Sequence, residues 1–318
     1  MKIINNKKVA VCILTYNRVN YLRKTVASVF NSNYDDYCLY VLNDNSTDNT
    51  YEYLKEIKKD FDFREIKHPN NIGMGANANW VLDNINSEFC LMLHDDDILE
   101  PDYMNKVLAI MEKEEDISIG GTAFNTINED GNIIEQIKYK NIYNPSILSF
   151  KDYYYHHIEG LAFPWSGTMI RMVKVGDNRF DFDSHPYCAD TVFLNAIIIG
   201  NKIAYVPEIL FNSRVHKNQV TQQMQRKNLY FIYNEWVFDY GLYKKIFKDN
   251  NFEKIFFKKL KIAFNRTLFN LLIISPDLKC YFKFLLSKDF NIFYQSFRNF
   301  LRIIYKFFKL LFNIKNNN

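Results

Sequence analysis

The chain has 318 residues, 48% hydrophobic and 24% charged, with Phe (28) and Tyr (22) abundant. That is enough apolar material to bury one large domain with an appendage, and no stretch approaches the roughly 20 uncharged apolar residues of a membrane span. The net charge of +4 conceals an asymmetry: Gly241 to Asn318 carries 16 Lys+Arg and 4 Asp+Glu, leaving 24 basic and 32 acidic residues for the remainder, an acidic body with a basic tail suited to an anionic surface.

Short apolar runs alternate with helical patterns over the first ~120 residues, which predicts a mostly parallel α/β sheet. Val9 to Leu14 reads as a buried strand, too short and too abruptly followed by a polar motif for a signal peptide. Leu22, Val26, Val29 and Phe30 then repeat at helical spacing. Leu39 to Leu42 is a second strand. Tyr51, Leu54 and Ile57 mark a second helix, with Thr47 or Asp48 as its N-cap. A third strand is expected within Phe61 to Ile66, a helix over Ala76 to Leu82, a strand over Phe89 to Leu93, a helix over Met104 to Met111 and a strand from Ile117. Asn128 to Asn132 is a hairpin turn signal. Beyond about residue 225 the pattern is helical to the end. The five cysteines (Cys12, Cys38, Cys90, Cys188, Cys280) are scattered without metal or redox spacing, which predicts free, mostly buried thiols in a reducing compartment. The expected location is cytoplasmic.

The chemistry concentrates at strand ends. The apolar run Leu91-Met92-Leu93 stops at His94-Asp95-Asp96-Asp97. Three adjacent carboxylates repel one another by roughly 1–4 kcal/mol per pair. Either a cation offsets this, with oxygen ligands suited to Mg²⁺ or Mn²⁺ and a phosphorylated substrate, or the cluster is a solvated turn that caps the helix after Pro101. Taken alone, both readings stand.

Four pieces in order decide between them: Leu14-Thr15-Tyr16-Asn17-Arg18, Leu42 to Thr50 with Asp44, Asn71-Ile72-Gly73-Met74-Gly75-Ala76-Asn77-Ala78-Asn79, and His94 to Asp97. Together they resemble the family 2 glycosyltransferases. The resemblance covers residues 8–125 well and 160–220 loosely. It implies a GT-A fold, with a nucleotide-sugar-binding half over 1–125, an acceptor-binding half over 126–224 and a basic, aromatic-rich helical region over 225–318.

It also implies roles for residues. Asp44 would accept the N–H of a uracil, with Asn43 in place of the family's first Asp. Thr15, Tyr16, Asn17 and Arg18 would line the nucleotide pocket, although Asn17 suits a plain strand-to-helix turn equally well. Asn71, Gly73 and Asn79 would border the ribose or diphosphate, the glycines leaving room for close approach; Ala78 stands where an Arg is frequent. Asp96 would be the Mn²⁺ or Mg²⁺ ligand, Asp95 would approach the ribose or diphosphate and Asp97 would orient the loop. His94 replaces the usual first Asp and is either a donor to the ribose or a packing residue. Asp190 would be the base that takes the acceptor proton, Asp181 and Asp183 being fallbacks, with inversion at the anomeric carbon. His216 of Arg214-Val215-His216 would complete the metal site or touch the diphosphate. Trp165 and Ser166 would form the acceptor platform, unless Trp165 is a core residue.

In the tail, Phe297, Phe300, Leu301, Ile304, Phe308 and Leu311 share one helical face opposite Arg298, Arg302, Lys306 and Lys309, the pattern of an interfacial helix on anionic lipid. A helix packed on the catalytic body or a dimer partner is the alternative. The expected reaction is transfer from a UDP-linked sugar to a growing surface glycan, such as a capsule, O-antigen or lipooligosaccharide, on an acceptor that is lipid-linked. A sugar nucleotidyltransferase should begin with a Gly-rich loop and a basic residue after the first strand, which Leu14 to Asn17 lacks. A non-catalytic scaffold is the other rival, motivated by His94, Ala78 and Ala189. No nucleic-acid-binding module is present.

Overall fold

The computed structural model describes residues 3–4, 6–158, 160–161, 163–185, 189–216 and 219. The expected helical region from 225 onward lies outside the described residues. In chain order the elements are β1 (Ile3–Ile4), β2 (Val9–Thr15), α1 (Val19–Phe30), β3 (Tyr37–Asn43), α2 (Thr50–Ile57), β4 (Arg64–Lys67), α3 (Met74–Asn84), β5 (Ile85–Asn86), β6 (Phe89–His94), β7 (Ile98–Leu99), α4 (Tyr103–Met111), β8 (Ile117–Ile127), β9 (Ile133–Ile137), β10 (Ser146–Ser149), α5 (Phe150–Ile158), β11 (Met169–Arg171), α6 (Ala189–Ile198) and β12 (Lys202–Arg214).

One sheet of ten strands carries the fold, in the order β10-β12-β8-β11-β6-β2-β3-β4, with β7 on β12 and β9 on β8. The half formed by β6, β2, β3 and β4 is parallel. All seven residues of β2 are buried, as an unbroken apolar run predicts for a parallel strand covered on both faces. α1 buries Leu22, Val26 and Val29, and each such side chain contributes about 1.5–3 kcal/mol of burial. α2 is rotated from the expected face: Tyr53 and Leu54 are buried while Tyr51 is exposed, its ring under the Lys67 ammonium at 5.0 Å. β4 starts later than expected because Phe61 turns outward to stack on Phe30, ring centroids 4.2 Å apart. Cys12, Cys38 and Cys90 are free thiols.

Beyond β6 the sheet is mixed. β11 is inserted antiparallel between β6 and β8. At three residues it is too short to leave a periodic signature. β8 and β9 form the expected hairpin, and Asn128 Oδ1 closes its turn by accepting the Asp130 and Asn132 N–H groups. β12 runs parallel to β8 with a register break between Val206 and Ile209, where Pro207 has no N–H to give. The strand then continues to Arg214 and delivers it and His216 beside the acidic cluster.

The N-terminal ends of α1 and α2 meet at one carboxylate. Neither Thr47 nor Asp48 holds the cap position of α2, which is Asn49 and makes no side-chain cap bond. Asp48 does the work from one residue earlier. Its Oδ1 accepts the Thr50 N–H (3.1 Å) and hydroxyl (2.6 Å), and its Oδ2 accepts the Val19 N–H of α1 at 3.0 Å. A carboxylate so placed opposes both helix dipoles. Asp48→Ala is expected to lower stability by about 1–2 kcal/mol, read as a fall in the urea midpoint at unchanged slope. An unchanged midpoint would show that water replaces the carboxylate at no cost.

Candidate active site

The parallel strands β2, β3 and β6 all end on one side of the sheet, where ligands bind in open α/β folds. Three loops meet there. Asn17 joins the first two. Its backbone is left-handed (φ 55°), its Oδ1 accepts the Thr47 N–H at 2.6 Å and the Asp48 N–H at 3.3 Å, and its own N–H donates to Ser46 Oγ at 3.0 Å. That network fixes Asn17 as a brace between loops, the turn role that was open in the sequence. Tyr16 beside it is exposed.

Asp44 is buried at the end of β3. Its Oδ1 accepts the Ile72 N–H (2.8 Å) and its Oδ2 the Gly73 N–H (2.9 Å). Asn71 Oδ1 also accepts the Gly73 N–H, at 3.0 Å. Gly73 has φ 84° with open space where a Cβ would stand, so the loop at the start of α3 requires glycine there. Each carboxylate oxygen of Asp44 keeps a second lone pair for a further donor.

Gly75 and Asn79 behave differently from expectation. A Cβ on Gly75 would sit 2.2 Å from the Phe182 ring, so its missing side chain makes room for Phe182. The Asn79 side chain pairs with one peptide: Nδ2 donates to Phe180 O and Oδ1 accepts the Phe180 N–H, both at 2.8 Å. Arg179 adds an ion pair to Asp83 at 2.8 Å. These three contacts seat the segment 179–182 on α3, and Asn79 faces that segment.

The acidic cluster is buried: Asp95, Asp96 and Asp97 are each 2% exposed, which excludes a solvated turn. α4 starts without a side-chain cap, so none of the three is a helix cap. Asp95 accepts from Thr15 Oγ1 (2.8 Å), Tyr16 N (3.3 Å) and Arg18 (3.2 Å). Asp96 faces Arg18 at 3.4 Å and His216 Nε2 at 2.8 Å. Asp97 accepts from Ser166 Oγ (2.5 Å) and the Arg214 N–H (2.9 Å). The Arg214 guanidinium donates to the carbonyl oxygens of Asp96, Asn128 and Glu129.

Burial, opposed by Arg18, pushes the Asp95 carboxyl up to about 7. Burial and the neighbouring Asp96 push Asp97 up to about 8. Burial also lowers His94 and favours its neutral ring. Two buried atoms in this group, Asp96 Oδ1 and His94 Nε2, have no hydrogen-bond partner among the described residues. His94, Asp96 and Asp97 each offer a ligand atom, all within 4.8 Å of one another. Mutual repulsion, unspent lone pairs and this donor set fit a divalent cation.

Trp165 and Ser166 are 8% and 3% exposed and do not make an open acceptor platform. The Trp165 ring packs edge-on against His94 (4.8 Å) and against Phe180 (5.1 Å). Ser166 Oγ accepts the His94 N–H at 3.0 Å while donating to Asp97, so it fixes the shape of the cluster. Asp190 lies in the first turn of α6. Burial raises its carboxyl. Asp181 and Asp183 sit in the segment that precedes α6; backbone donors hold Asp181 below the usual carboxylate range.

Thr25 was not singled out in the sequence. Its hydroxyl lies 2.8 Å from the carbonyl oxygens of both Asp95 and Asp97, tying α1 to the backbone of the cluster. The available signal was a hydroxyl inside the apolar stripe of α1, a buried polar group that must find a partner.

The profile of glycosyl transferase family 2 matches residues 10–173, more than half of the chain, and spans β2, β3, β6 and the acidic cluster. The chain belongs to that family. It is therefore a glycosyltransferase. Similar proteins include an uncharacterized glycosyltransferase of Haemophilus influenzae, 27% identical over 67% of this chain and 67% of that one. Another is the GalNAc(5)-diNAcBac-PP-undecaprenol beta-1,3-glucosyltransferase of Campylobacter jejuni, 25% identical over 71% of each chain. Two further relatives, at 25% identity, are spanned over 64% and 32% of their own length.

Among solved structures, Staphylococcus aureus TarS in complex with UDP aligns over 84% of this chain and 83% of that one, with a TM-score of 0.56 at 14% identity. The Pyrobaculum calidifontis mannosyltransferase PcManGT in complex with GDP-Man and Mn²⁺ aligns over 93% and 85%, with a TM-score of 0.57 at 12% identity. These likenesses establish the GT-A fold of the glycosyltransferase. Among its described residues no helix is long and apolar enough to cross a membrane.

Proposed function

We propose that this glycosyltransferase moves a sugar, with inversion, from a UDP-linked donor to a hydroxyl of a growing surface glycan carried on a lipid. The observation that carries the reading is the convergence of Asp44, the Asn71–Gly73 loop and the buried Asp95–Asp97 cluster at the ends of the parallel strands, with Asp190 in the first turn of α6. Asp44 supplies an acceptor for the uracil N–H. Thr15, Tyr16, Arg18, Asn71 and Gly73 border the nucleotide, and Arg18 is the partly exposed cation aimed at Asp95 and Asp96.

A Mn²⁺ or Mg²⁺ held by Asp96 with its neighbours would neutralise charge on the departing nucleoside diphosphate. Asp190 takes the proton from the acceptor hydroxyl as its oxygen bonds to the anomeric carbon. The bond from that carbon to the phosphate oxygen breaks with its electron pair staying on the diphosphate. A single displacement inverts the anomeric centre. UDP bound to TarS and the undecaprenol-linked acceptor in the name of the Campylobacter enzyme support the donor and acceptor classes.

The test is nucleotide release from a panel of UDP-, GDP- and dTDP-sugars with Mn²⁺ or Mg²⁺. Release from a UDP-sugar that stops on chelation is expected. If no donor is consumed, a binding-only role for the site replaces the enzymatic one.

The basic, aromatic stripe of residues 297–311 is proposed to hold the chain peripherally on the cytoplasmic face of an anionic membrane, each Lys or Arg near the surface adding about 1 kcal/mol. Changing Arg298, Arg302, Lys306 and Lys309 together to Gln is expected to abolish flotation with liposomes containing anionic lipid. Undiminished flotation of that full-length variant would leave the tail without its membrane role.

A further inference from the structure

We infer that His94 is a nitrogen ligand of the cation and that it biases the site toward transition metals over Mg²⁺. This rests on the divalent-cation reading of the acidic cluster. His94 closes β6, and its backbone N–H donates to Ser166 Oγ. The same hydroxyl donates to Asp97, so one side chain sets the spacing of both residues. His94 Nδ1 lies 3.9 Å from Asp97 Oδ2, and the ligand atoms of His94, Asp96 and Asp97 fall within 4.8 Å of one another. The ring is confined edge-on by Trp165 at 4.8 Å.

Two atoms in this pocket are unspent. Asp96, only 2% exposed, has a buried Oδ1 without a hydrogen-bond partner among the described residues, and His94 has the same at Nε2. Leaving buried polar groups unpaired is costly, and a bound cation would take a lone pair from each. His216 is the other imidazole in reach, but its Nε2 is already 2.8 Å from Asp96 Oδ2. That bond makes His216 a partner that orients the Asp96 carboxylate, as outer residues of metal sites commonly do. His94 Nε2 is thus the imidazole nitrogen of this group that is not already paired with Asp96.

A mixed nitrogen and oxygen donor set has a consequence for metal choice. Mg²⁺ keeps oxygen ligands and several waters. Imidazole favours first-row transition ions, with affinity rising from Mn²⁺ to Cu²⁺. A carboxylate at position 94 would make the set all-oxygen and remove the bias.

The experiment measures Mn²⁺ binding to the full-length protein by electron paramagnetic resonance, with Mn²⁺ alone and with Mn²⁺ plus UDP. Pulsed spectra then look for ¹⁴N coupling to the bound ion. Wild type is expected to show it, His216→Gln to keep it, and His94→Gln to lose it. In competition titrations the preference for Mn²⁺ over Mg²⁺ is expected to fall about tenfold in His94→Asp, as the nitrogen ligand is replaced by oxygen.

Melting curves check that each variant is folded, and His94→Asp provides the second route should His94→Gln fail to fold. Bound Mn²⁺ without nitrogen coupling overturns the inference, as does coupling lost in His216→Gln and kept in His94→Gln. Both results leave the metal-dependent transferase reading intact. A spectrum of free aqueous Mn²⁺ throughout would overturn both.

Discussion

Asp96→Asn is expected to reduce sugar transfer by roughly a thousandfold, about 4 kcal/mol of transition-state stabilisation, while leaving the metal-free protein as stable as wild type at pH 8. The two halves of this result come from the same buried charge. Asp96 is 2% exposed, its Oδ2 faces Arg18 and His216, and its Oδ1 has no hydrogen-bond partner among the described residues. Its charge also helps raise the Asp97 and Asp95 carboxyls, pushed up to about 8 and about 7. A carboxyl whose folded value lies above its unfolded one stabilises the fold at low pH and loses that contribution as pH rises through the folded value.

Without metal, the cluster should therefore weaken the wild-type fold between about pH 4 and pH 8 as Asp95 and Asp97 are forced to charge beside Asp96. An Asn at position 96 keeps an oxygen for His216 and removes the charge that the other two resist. The melting temperature of the variant relative to wild type is expected to rise across that interval. Mn²⁺ should raise the wild-type melting temperature, since a ligand at a hundredfold its Kd adds about 2.7 kcal/mol, and should leave the variant unmoved. A variant that melts well below wild type at pH 8 would mean that the Arg18 and His216 pairs outweigh the repulsion. Retained metal-dependent transfer would remove Asp96 from the metal site.

The parts of this picture legible in the sequence share one property: their signal is local. β2 and β6 announce themselves as unbroken apolar runs because parallel central strands are covered on both faces. The acidic cluster stands out because charge follows such a run without a break. The start of α6 is marked by Asp190 before a helical pattern. What escaped is carried by contacts across large sequence separations. Ser166 bonds to His94 and Asp97 from 72 and 69 positions away, Asn79 grips Phe180 across 101, and Thr25 reaches Asp95 and Asp97 across 70 and 72.

A serine, an asparagine and a threonine have many possible partners, and nothing within a few residues of each names the one that folding selects. The same limit explains Trp165 and Gly75. An aromatic beside a small-residue turn is compatible with a sugar platform, and a glycine in a loop with phosphate approach. Packing against His94 and Phe180, and the Phe182 ring over Gly75, decide otherwise. Asn17 is intermediate, since the left-handed backbone it adopts is one that Asn tolerates better than most residues.

Asp190→Asn is expected to separate chemistry from binding. If Asp190 takes the acceptor proton, its loss should lower kcat by about 10²–10⁴ while the affinity for UDP with Mn²⁺ stays within twofold. In the proposed reaction the diphosphate is met by other residues, those of the Asp95–Asp97 cluster. The variant should also keep its fold, because Asn retains an oxygen for the Thr191 N–H that Asp190 Oδ1 now accepts at 2.8 Å.

The pH profile gives an independent reading. Burial raises the Asp190 carboxyl above the ordinary carboxylate range, and a base works only when deprotonated. The acid limb of the wild-type rate should therefore lie at a higher pH than that of an exposed aspartate, with activity lost as pH falls through the raised value. That limb should vanish from the residual activity of the variant. A variant that keeps both wild-type kcat and the acid limb would assign the base elsewhere, with Asp181 and Asp183 as the carboxylates that precede α6. Asp181 is the weaker base of the two settings, because the Ser184 N–H bonded to it at 2.9 Å holds it below the usual range, whereas the half-buried Asp190 is raised toward the pH at which a proton acceptor is effective.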